Sequence, residues 1–226
     1  MGKFELHVHT RENDIYARLG GAEIVRLYHD IGYEGLVITD HYFSLFYEWF
    51  SDEMNLNDHA SIIDRWLRGY REAKAEGDRL GISVLLGAEV RFDGPVINDY
   101  LIYGITEEFL YSAPLLNSLK NLDELVAILP DTARVVLAHP FRNGMTVVDP
   151  SPLFGIEVYN GNTPEIRNRI ARIWAQDAGK VMTSGSDFHS RKSLARGGIQ
   201  TERSIRTSAD LISVLEDGCF TPIEIY

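Results

Sequence analysis

The residues of this chain that could do chemistry are histidines and carboxylates, and they are not spread at random. FELHVHT, residues 4–10, sets His7 and His9 one residue apart at the end of an apolar run. On a strand, residues i and i+2 face the same way, so the two imidazoles point together. Such a pair can grip one metal ion, and it can equally lie on a solvated strand face. The stretch alone leaves both readings open. Elsewhere GLVIT runs into Asp40 and His41, VLLGA into Glu89, RVVLA into His139, and KVMTSGS into Asp187, with His189 two residues on.

These polar residues end short apolar runs, and the runs define the elements that must position them. Residues 4–8, 36–39, 84–88, 135–138, 156–159 and 181–183 are rich in Val, Ile or Leu, as buried parallel strands are. Helical patterns lie between them. Ile24, Leu27 and Ile31 share a face ahead of a stop at Gly32. Ile62, Ile63, Trp66, Leu67, Tyr70 and Ala73 stripe a longer helix beginning near Asp58. Thr163 and Pro164 start a helix whose buried face is Ile166, Ile170, Ile173 and Trp174. Thr207 with Asp210 resembles a capping box ahead of Leu211 and Leu215. This alternation implies an α/β fold, a parallel sheet with helices outside. An open doubly wound sheet satisfies it. A closed barrel related to the TIM barrel explains more, because its strand ends meet at one face, where catalytic sites are built. The ligand reading of His7 and His9 gains from that convergence.

A chain of 226 residues is long enough for one domain, 1–226, with a real core. Asp and Glu number 33 against 22 Lys and Arg, a net charge of -11. That argues against a dedicated duplex-DNA binder, which needs clustered cations, and leaves a small phosphorylated substrate compatible. Cys219 is the one cysteine, so neither an intrachain disulfide nor a thiolate metal cluster can form. MGKFELHVHT lacks the apolar core and cleavage site of a signal peptide, and no apolar run is long enough to span a membrane. A cytoplasmic protein is expected; the oligomeric state stays open.

At the strand ends the chain resembles a known family. HVHT at 7–10, ITDH at 38–41, GAE at 87–89, AHP at 138–140 and GSDFH at 185–189 look like the successive motifs of the PHP (polymerase and histidinol phosphatase) superfamily. The resemblance runs in order through almost the whole chain. It implies a distorted seven-stranded (β/α)7 barrel, TIM-barrel-like, with its active site at the C-terminal ends of the strands. It also implies two or three divalent metal ions (Zn, Mn or Fe) and hydrolysis of phosphate esters. Carried over residue by residue, His7, His9 and Asp187 bind one metal, Glu89 bridges two, His139 binds the second, and His41 and His189 hold a third. A metal-bound water would attack phosphorus, with His189 and Asp187 as candidate proton shuttles. In the subgroup whose first loop reads HxHxxxSDG, the aspartate is also a ligand. Here HVHTRENDIY puts Asp14 at that position, with Asn13 and Ile15 replacing the serine and glycine. Where family members usually carry a further histidine after the bridging glutamate, this chain reads INDYLIYGI. Asp99 falls there, as a harder oxygen ligand of the second metal.

Plainer readings stand beside these. Asp14 suits a turn next to Asn13, and Asp99 suits a surface acid at a strand start. His139, fixed by Pro140, is read as a ligand; His29 and His59, on helical patterns, as surface residues. Asp40 is either a ligand or, as the favoured reading, an acid that orients a neighbouring histidine from behind. Arg142, Arg191 and Lys192 follow strand-end motifs and are read as phosphate-binding, and Arg196 as a solvated charge. Glu157 and Asn160 either touch substrate or cap their loop. The aromatic run YFSLFYEWF, residues 42–50, is either a wall over the metals or the packing of a long loop. The expected function is a metal-dependent phosphoesterase acting on a small phosphate monoester or nucleotide-type substrate. Histidinol phosphate, a nucleotide and an oligonucleotide end all fit; long nucleic acid and membrane are not expected partners. The alternative is a non-catalytic, accessory metal- or phosphate-binding domain. A C–N hydrolase in a similar barrel is a third reading, disfavoured because no lysine stands at a strand end.

Overall fold

A computed structural model describes residues 1–225. Its ten-stranded sheet is built from β1 (Gly2–Glu5), β2 (Gly35–Ile38), β3 (His41–Tyr42), β4 (Ser83–Val90), β5 (Tyr100–Tyr103), β6 (Arg134–Leu137), β7 (Gly155–Asn160), β8 (Val181–Gly185), β9 (Ile199–Thr201) and β10 (Thr221–Pro222). The α-helices among the described residues are α1 (Gly21–Asp30), α2 (Ser44–Phe50), α3 (His59–Trp66), α4 (Arg68–Leu80), α5 (Glu107–Ser112), α6 (Leu122–Ile128), α7 (Glu165–Asp177) and α8 (Ser208–Glu216).

Strands β1, β2, β4, β5, β6, β7 and β8 stand in that order as the wall of a nearly closed barrel. They pair in parallel except for β5, which is antiparallel to both β4 and β6. The wall closes directly at the strand ends, where Val8 bridges Phe188. Lower down, β9 pairs antiparallel with residues 2–4 and β10 pairs with β9, which fills the wedge between β1 and β8. The seven-stranded barrel implied by the motifs is present, with one strand reversed. That reversal matters. A strand running the other way begins where its neighbours end, so Asp99, just before β5, lies at the same rim as Glu89 near the end of β4.

Strand alternation sorts the side chains. Leu86, Ala88 and Val90 of β4 pack outward against Phe46, Ile63 and Trp66. Leu85 joins Val37, Leu101, Tyr103 and Val136 in an apolar cluster that runs on to Leu211 and Leu215 of α8. Glu89 lies on the Leu85 face of β4, so a polar mouth rests on an apolar plug.

The helices depart from expectation in three places. The longer helix expected from Asp58 is two, α3 and α4, meeting at Leu67. Asp58 caps α3 by accepting from the Ala60 amide at 3.1 Å, and the stripe Ile62, Ile63, Trp66, Leu67 and Ala73 stays buried across the break. On α1 the buried face is Ile24, Val25 and Tyr28, with Ile31 lying past the helix end. On α7 three of the four residues of the expected face turn outward, and only Trp174 packs, partly buried, against the core. Ile166, Ile170 and Ile173 are exposed, and Asn168, Ala171 and Ala175 are buried. Asn168 decides the rotation: its side chain accepts from the Asn160 amide and donates to the Asn160 carbonyl, both at 3.2 Å. Two alanines then let the helix lie close on β7. A satisfied buried amide here outranks isoleucine's preference for the interior.

Glu5 ties the wall together from inside. One carboxylate oxygen accepts from the backbone amides of Leu6 (3.0 Å), His7 (3.1 Å) and Ser186 (2.8 Å), and the other from the Tyr28 hydroxyl (3.0 Å) and the Ser186 hydroxyl. Burial raises its pKa above the ordinary carboxylate value, against those hydrogen bonds. A raised folded-state value means that ionising Glu5 costs stability as pH climbs through it. Glu5→Ala should orphan the three amides and cost about 3–5 kcal/mol in urea denaturation. Glu5→Gln keeps one oxygen for the amides, should cost markedly less, and should remove the pH slope. Equal losses for the two variants would show that the amides are not what Glu5 serves.

Candidate metal centre

The barrel mouth gathers five histidines and four carboxylates from separate strand ends. His7 and His9 follow β1, His41 opens β3 and pairs in register with Glu89, and Asp99 precedes β5. His139 follows β6, while Asp187 and His189 follow β8. Asp14 comes from the loop after β1. Two of these positions hold a backbone that side-chain-bearing residues rarely adopt, with φ of 28° at His139 and 50° at Asp187.

Glu89 is the hub. His139 Nε2 and His7 Nε2 stand 2.8 and 3.3 Å from its Oε1, and His41 Nδ1 and His9 Nε2 stand 2.7 and 3.4 Å from its Oε2. Asp187 Oδ1 lies 3.3 Å from His9 Nε2, 3.3 Å from His189 Nδ1 and 3.6 Å from His7 Nε2. Asp14 Oδ2 lies 3.0 Å from His189 Nε2 and 3.8 Å from His41 Nε2. Donor atoms fall within 4.8 Å of one another in four overlapping sets: His7, His9 and Glu89; His7, His139 and Asp187; Glu89, Asp99 and His139; and His9, His41 and His189.

Charges of both signs hold this cluster. Burial alone would raise the Glu89 pKa, yet His7 and His41 hold it well below the ordinary carboxylate value. Asp187 is likewise held down, by His7, His9 and Arg142. Burial works against a charged His7, but Glu157, Asp187 and Glu89 push its pKa well up. His9 goes the other way, to about 3, because it is desolvated and faces His41 and His189. It is therefore a neutral imidazole with a lone pair to offer. His7 Nε2 and His9 Nε2 are 3.0 Å apart, facing one space. Glu89 Oε2 and Asp187 Oδ1 are buried acceptors to which no donor is properly aligned. Neutral and anionic donors turned on a shared space are what divalent transition ions take. The residues fit such ions.

The structure brings His7, His9, Asp14, His41, Glu89, Asp99, His139, Asp187 and His189 together, and it places the other singled-out residues more variously. Asp99 is less free than expected: Arg91 grips both its oxygens, Nε at 2.6 Å and Nη2 at 2.7 Å, and its Oδ2 is 3.8 Å from His139 Nε2. Arg142 reaches the cluster and pairs with Asp187. Arg191 and Lys192 are exposed and outside it. Asp40 does not orient a histidine. It accepts from the Thr10 amide (2.6 Å) and hydroxyl (2.7 Å), and burial pushes its pKa to about 7. Its place is pinched by α4, where a Cβ on Gly69 would meet Thr10 Oγ1 at 2.0 Å. His29 is exposed on α1, and His59 bonds the Leu110 carbonyl at 3.0 Å; neither joins the cluster.

The histidine-orienting acid is Glu157. It takes His7 Nδ1 at 2.9 Å and accepts from the His139 amide (2.8 Å) and Asn160 Nδ2 (2.9 Å). Asn160 thus braces Glu157 and stands 3.3 Å from Asp187 Oδ2. The sequence held the signal for Glu157, a lone acid inside the apolar run 156–159. Glu5 carried one too, on the same strand face as His7 and His9 by the two-residue period. The aromatic run contributes a wall: Phe43 lies 4.8 Å from the His41 ring and 5.4 Å from Trp49, and Trp49 lies 5.7 Å from exposed Tyr16.

Comparisons with known proteins agree with this frame. Residues 165–219 match the family described as PHP-associated. No curated protein matches the chain. Among solved structures, PsfC from Pseudomonas syringae is 16% identical over 100% of this chain and 93% of its own, with a TM-score of 0.68. A two-domain protein from Bacteroides vulgatus containing a predicted PHP-like metal-dependent phosphoesterase is 17% identical over 98% of this chain and 64% of its own, with a TM-score of 0.69. PfuEndoQ, a lesion-specific endonuclease from Pyrococcus furiosus, is 12% identical over 98% of this chain and 57% of its own, with a TM-score of 0.62. At these identities the structures speak for the fold. The family match, which spans the GSDFH motif, agrees with the resemblance to the PHP superfamily.

His189 offers a direct test of the electrostatics. Burial would lower its pKa, but the hydrogen bond to Asp14 and the charge of Asp187 raise it to about 9. Its contribution to stability in metal-free protein is therefore full below the ordinary histidine value of 6.5 and is lost as pH rises through about 9. Asp14→Asn should bring the midpoint down toward 6.5, read from imidazole proton shifts of metal-stripped protein. A midpoint left near 9 would show that Asp14 is not the cause.

Proposed function

We propose that this chain, built on the fold of PHP-like metal-dependent phosphoesterases, hydrolyses a small phosphate monoester or nucleotide-type substrate at the barrel mouth. The observation that carries the reading is Glu89 among four imidazoles, with buried donors turned on a common space beside Arg142. His7, His9, Glu89 and Asp187 would hold one divalent ion, Glu89, Asp99 and His139 a second, and His41, His189 and Asp14 a third. Bound ions, of the Zn, Mn or Fe type, would supply a nucleophile at neutral pH and positive charge for the phosphate oxygens.

The chain's own residues do the rest. Glu157 accepts from His7 Nδ1–H, which fixes the tautomer and turns Nε2 to the shared space. Asp14 Oδ2 instead stands among His189 Nε2 and His41 Nε2 as a fellow donor for the third ion, and His189 is the cluster histidine most exposed to an incoming substrate. Arg142, at the rim, offers a guanidinium that matches phosphate geometry once it shares Asp187 with the ions. Phe43, Trp49 and Tyr16 form an apolar side to the mouth, suited to a planar leaving group. A metal- or phosphate-binding accessory domain is the second reading; the completeness of the donor set counts against it.

A panel of phosphoesters assayed with Mn, Zn, Fe and Mg added separately tests the activity. Glu89→Gln should abolish hydrolysis with the fold intact by circular dichroism, because an amide cannot neutralise two cations. Activity within a few-fold of the parent at unchanged metal content would sink the bridging role. Elemental analysis should find more than one transition ion per chain. Asp99→Ala should lower that content and cut activity by about one to two orders of magnitude, as loss of a supporting contact does. Full metal content in that variant would mean that Asp99 serves Arg91 alone.

A further inference from the structure

We infer that Arg65 and Trp66, at the end of α3, are positioning residues for the third ion's side of the centre, Asp14 and His41, and that they make this side depend on the aromatic helix α2. The inference rests on the three-ion reading and adds to it what sets the third ion's occupancy.

Among the described residues, Arg65 is the one buried Lys or Arg, 4% exposed. A guanidinium at that depth costs stability unless its donors are used. Ile62, Ile63 and Trp66 show that this part of α3 buries apolar side chains, so packing alone does not call for a charge. The donors go to the loop after β1. Arg65 Nη1 donates to the Glu12 carbonyl at 2.7 Å and to Asn13 Oδ1 at 3.3 Å. Its Nε donates at 3.0 Å to Glu53, a half-exposed acid shared with Arg68. Buried Asn13 completes the clasp, its Nδ2 donating to the Trp66 carbonyl. The next residue in the chain is Asp14. Its Oδ1 accepts from the Tyr16 amide at 2.8 Å, which leaves Oδ2 for His189 and His41. Trp66 holds the other side: its indole Nε1 donates to the His41 carbonyl at 2.9 Å.

The same guanidinium lies 4.0 Å from the centre of the Phe50 ring and 5.6 Å from that of Phe46, both in α2. Glu53 ends the 3-10 turn (Ser51–Glu53) that follows α2. A desolvated cation over an aromatic face is attracted to it, so α2 helps to fix where Arg65 stands. One side chain thus joins the aromatic wall, through Phe50, to the loop that carries Asp14, through Glu12 and Asn13. The third ion's donors need such support more than the others do. The side chains of His41 and His189 are 16% and 26% exposed, whereas those of His7, His9, Glu89 and His139 are fully buried. Ligands that the core does not clamp keep their aim only through what stands behind them.

The test is calorimetric titration of the metal-free chain with Mn, on the parent, Arg65→Met, Arg65→Lys, Trp66→Phe, Phe50→Leu and a control, Leu125→Ala, which loosens the core at α6. The parent should take up three ions. Arg65→Met and Trp66→Phe should weaken one binding step about tenfold and leave the others within about twofold, the scale on which a residue behind a ligand acts. Arg65→Lys keeps the charge without the fork and should fall between. Phe50→Leu should weaken the same step severalfold; a step unchanged in that variant overturns the dependence on α2. Leu125→Ala, at a similar loss of stability in urea, should weaken none. If Arg65→Met does not fold, Arg65→Lys and Trp66→Phe carry the comparison. Variants that bind every ion as the parent does, that weaken all steps alike, or that only match Leu125→Ala overturn the inference. If the parent binds two ions or fewer, the three-ion reading has failed separately. The bracket is then judged in metal-free protein by amide exchange over residues 10–17. Exchange about tenfold faster in Arg65→Met but not in Leu125→Ala supports it, and equal exchange overturns it.

Discussion

A carboxylate buried among four imidazoles is the condition that the rest of this molecule has to meet. Glu89 is 1% exposed, and His7, His9, His41 and His139 each bring a ring nitrogen within 3.4 Å of it. An ionised carboxylate at that depth needs donors or positive charge around it, and imidazoles that close need anions between them. Acids and bases therefore alternate outward from Glu89. Asp187 stands among His7, His9 and His189, Glu157 behind His7, and Asp14 against His189. Arg142 and Arg91 close the pattern at the rim, on Asp187 and Asp99. Removing one member leaves its neighbour buried and uncompensated, which is why the acids behind the histidines matter as much as those facing the shared space.

The fold meets that condition through backbone geometry as well as charge. A parallel barrel brings strand ends together, but β5 supplies Asp99 from its start only because it runs the other way. Gly185 sits where a Cβ would lie 2.4 Å from His7 Cβ and 2.6 Å from Glu157 Oε1, so only glycine leaves room for the His7–Glu157 hydrogen bond. His139 and Asp187 are held with φ in the positive region, and the His139 amide is fixed by Glu157. The same carboxylate thus aims one histidine by its ring and another by its backbone.

Much of this was legible in the sequence, and the unread part has physical reasons. The short apolar runs and the polar residues ending them indicated the barrel and brought seven of the nine cluster residues into consideration, because burial and strand polarity are local properties; Asp14 and Asp99 entered only through the resemblance to the PHP superfamily. The direction of β5 was not legible: four apolar residues read alike either way. On α7, periodicity could not tell that Asn168 would be satisfied by the Asn160 backbone at the end of β7, so the isoleucines stood out as the buried face. Nothing in the sequence singles out Arg91 as the partner of Asp99, and the role of Glu157 was hidden because its partner His7 lies 150 residues away. Asp40 was misassigned because its nearest charge in sequence, His41, is not its partner in space.

The latch between the two ends of the chain has a consequence for how the site comes into being. Glu5 meets Ser186 across 181 residues, His7 meets Glu157 across 150, and Val8 bridges Phe188. Contacts of such span are entropically slow to close, because nearly the whole chain must be looped to make them. β1 can pair early with β2, but its histidines stay unsupported until β7 and β8 arrive. During synthesis from the N-terminus, the first motif to emerge is therefore among the last to reach working order. A chain stalled short of β8 therefore holds most of its donors but lacks Asp187, His189 and the Ser186 contact to Glu5.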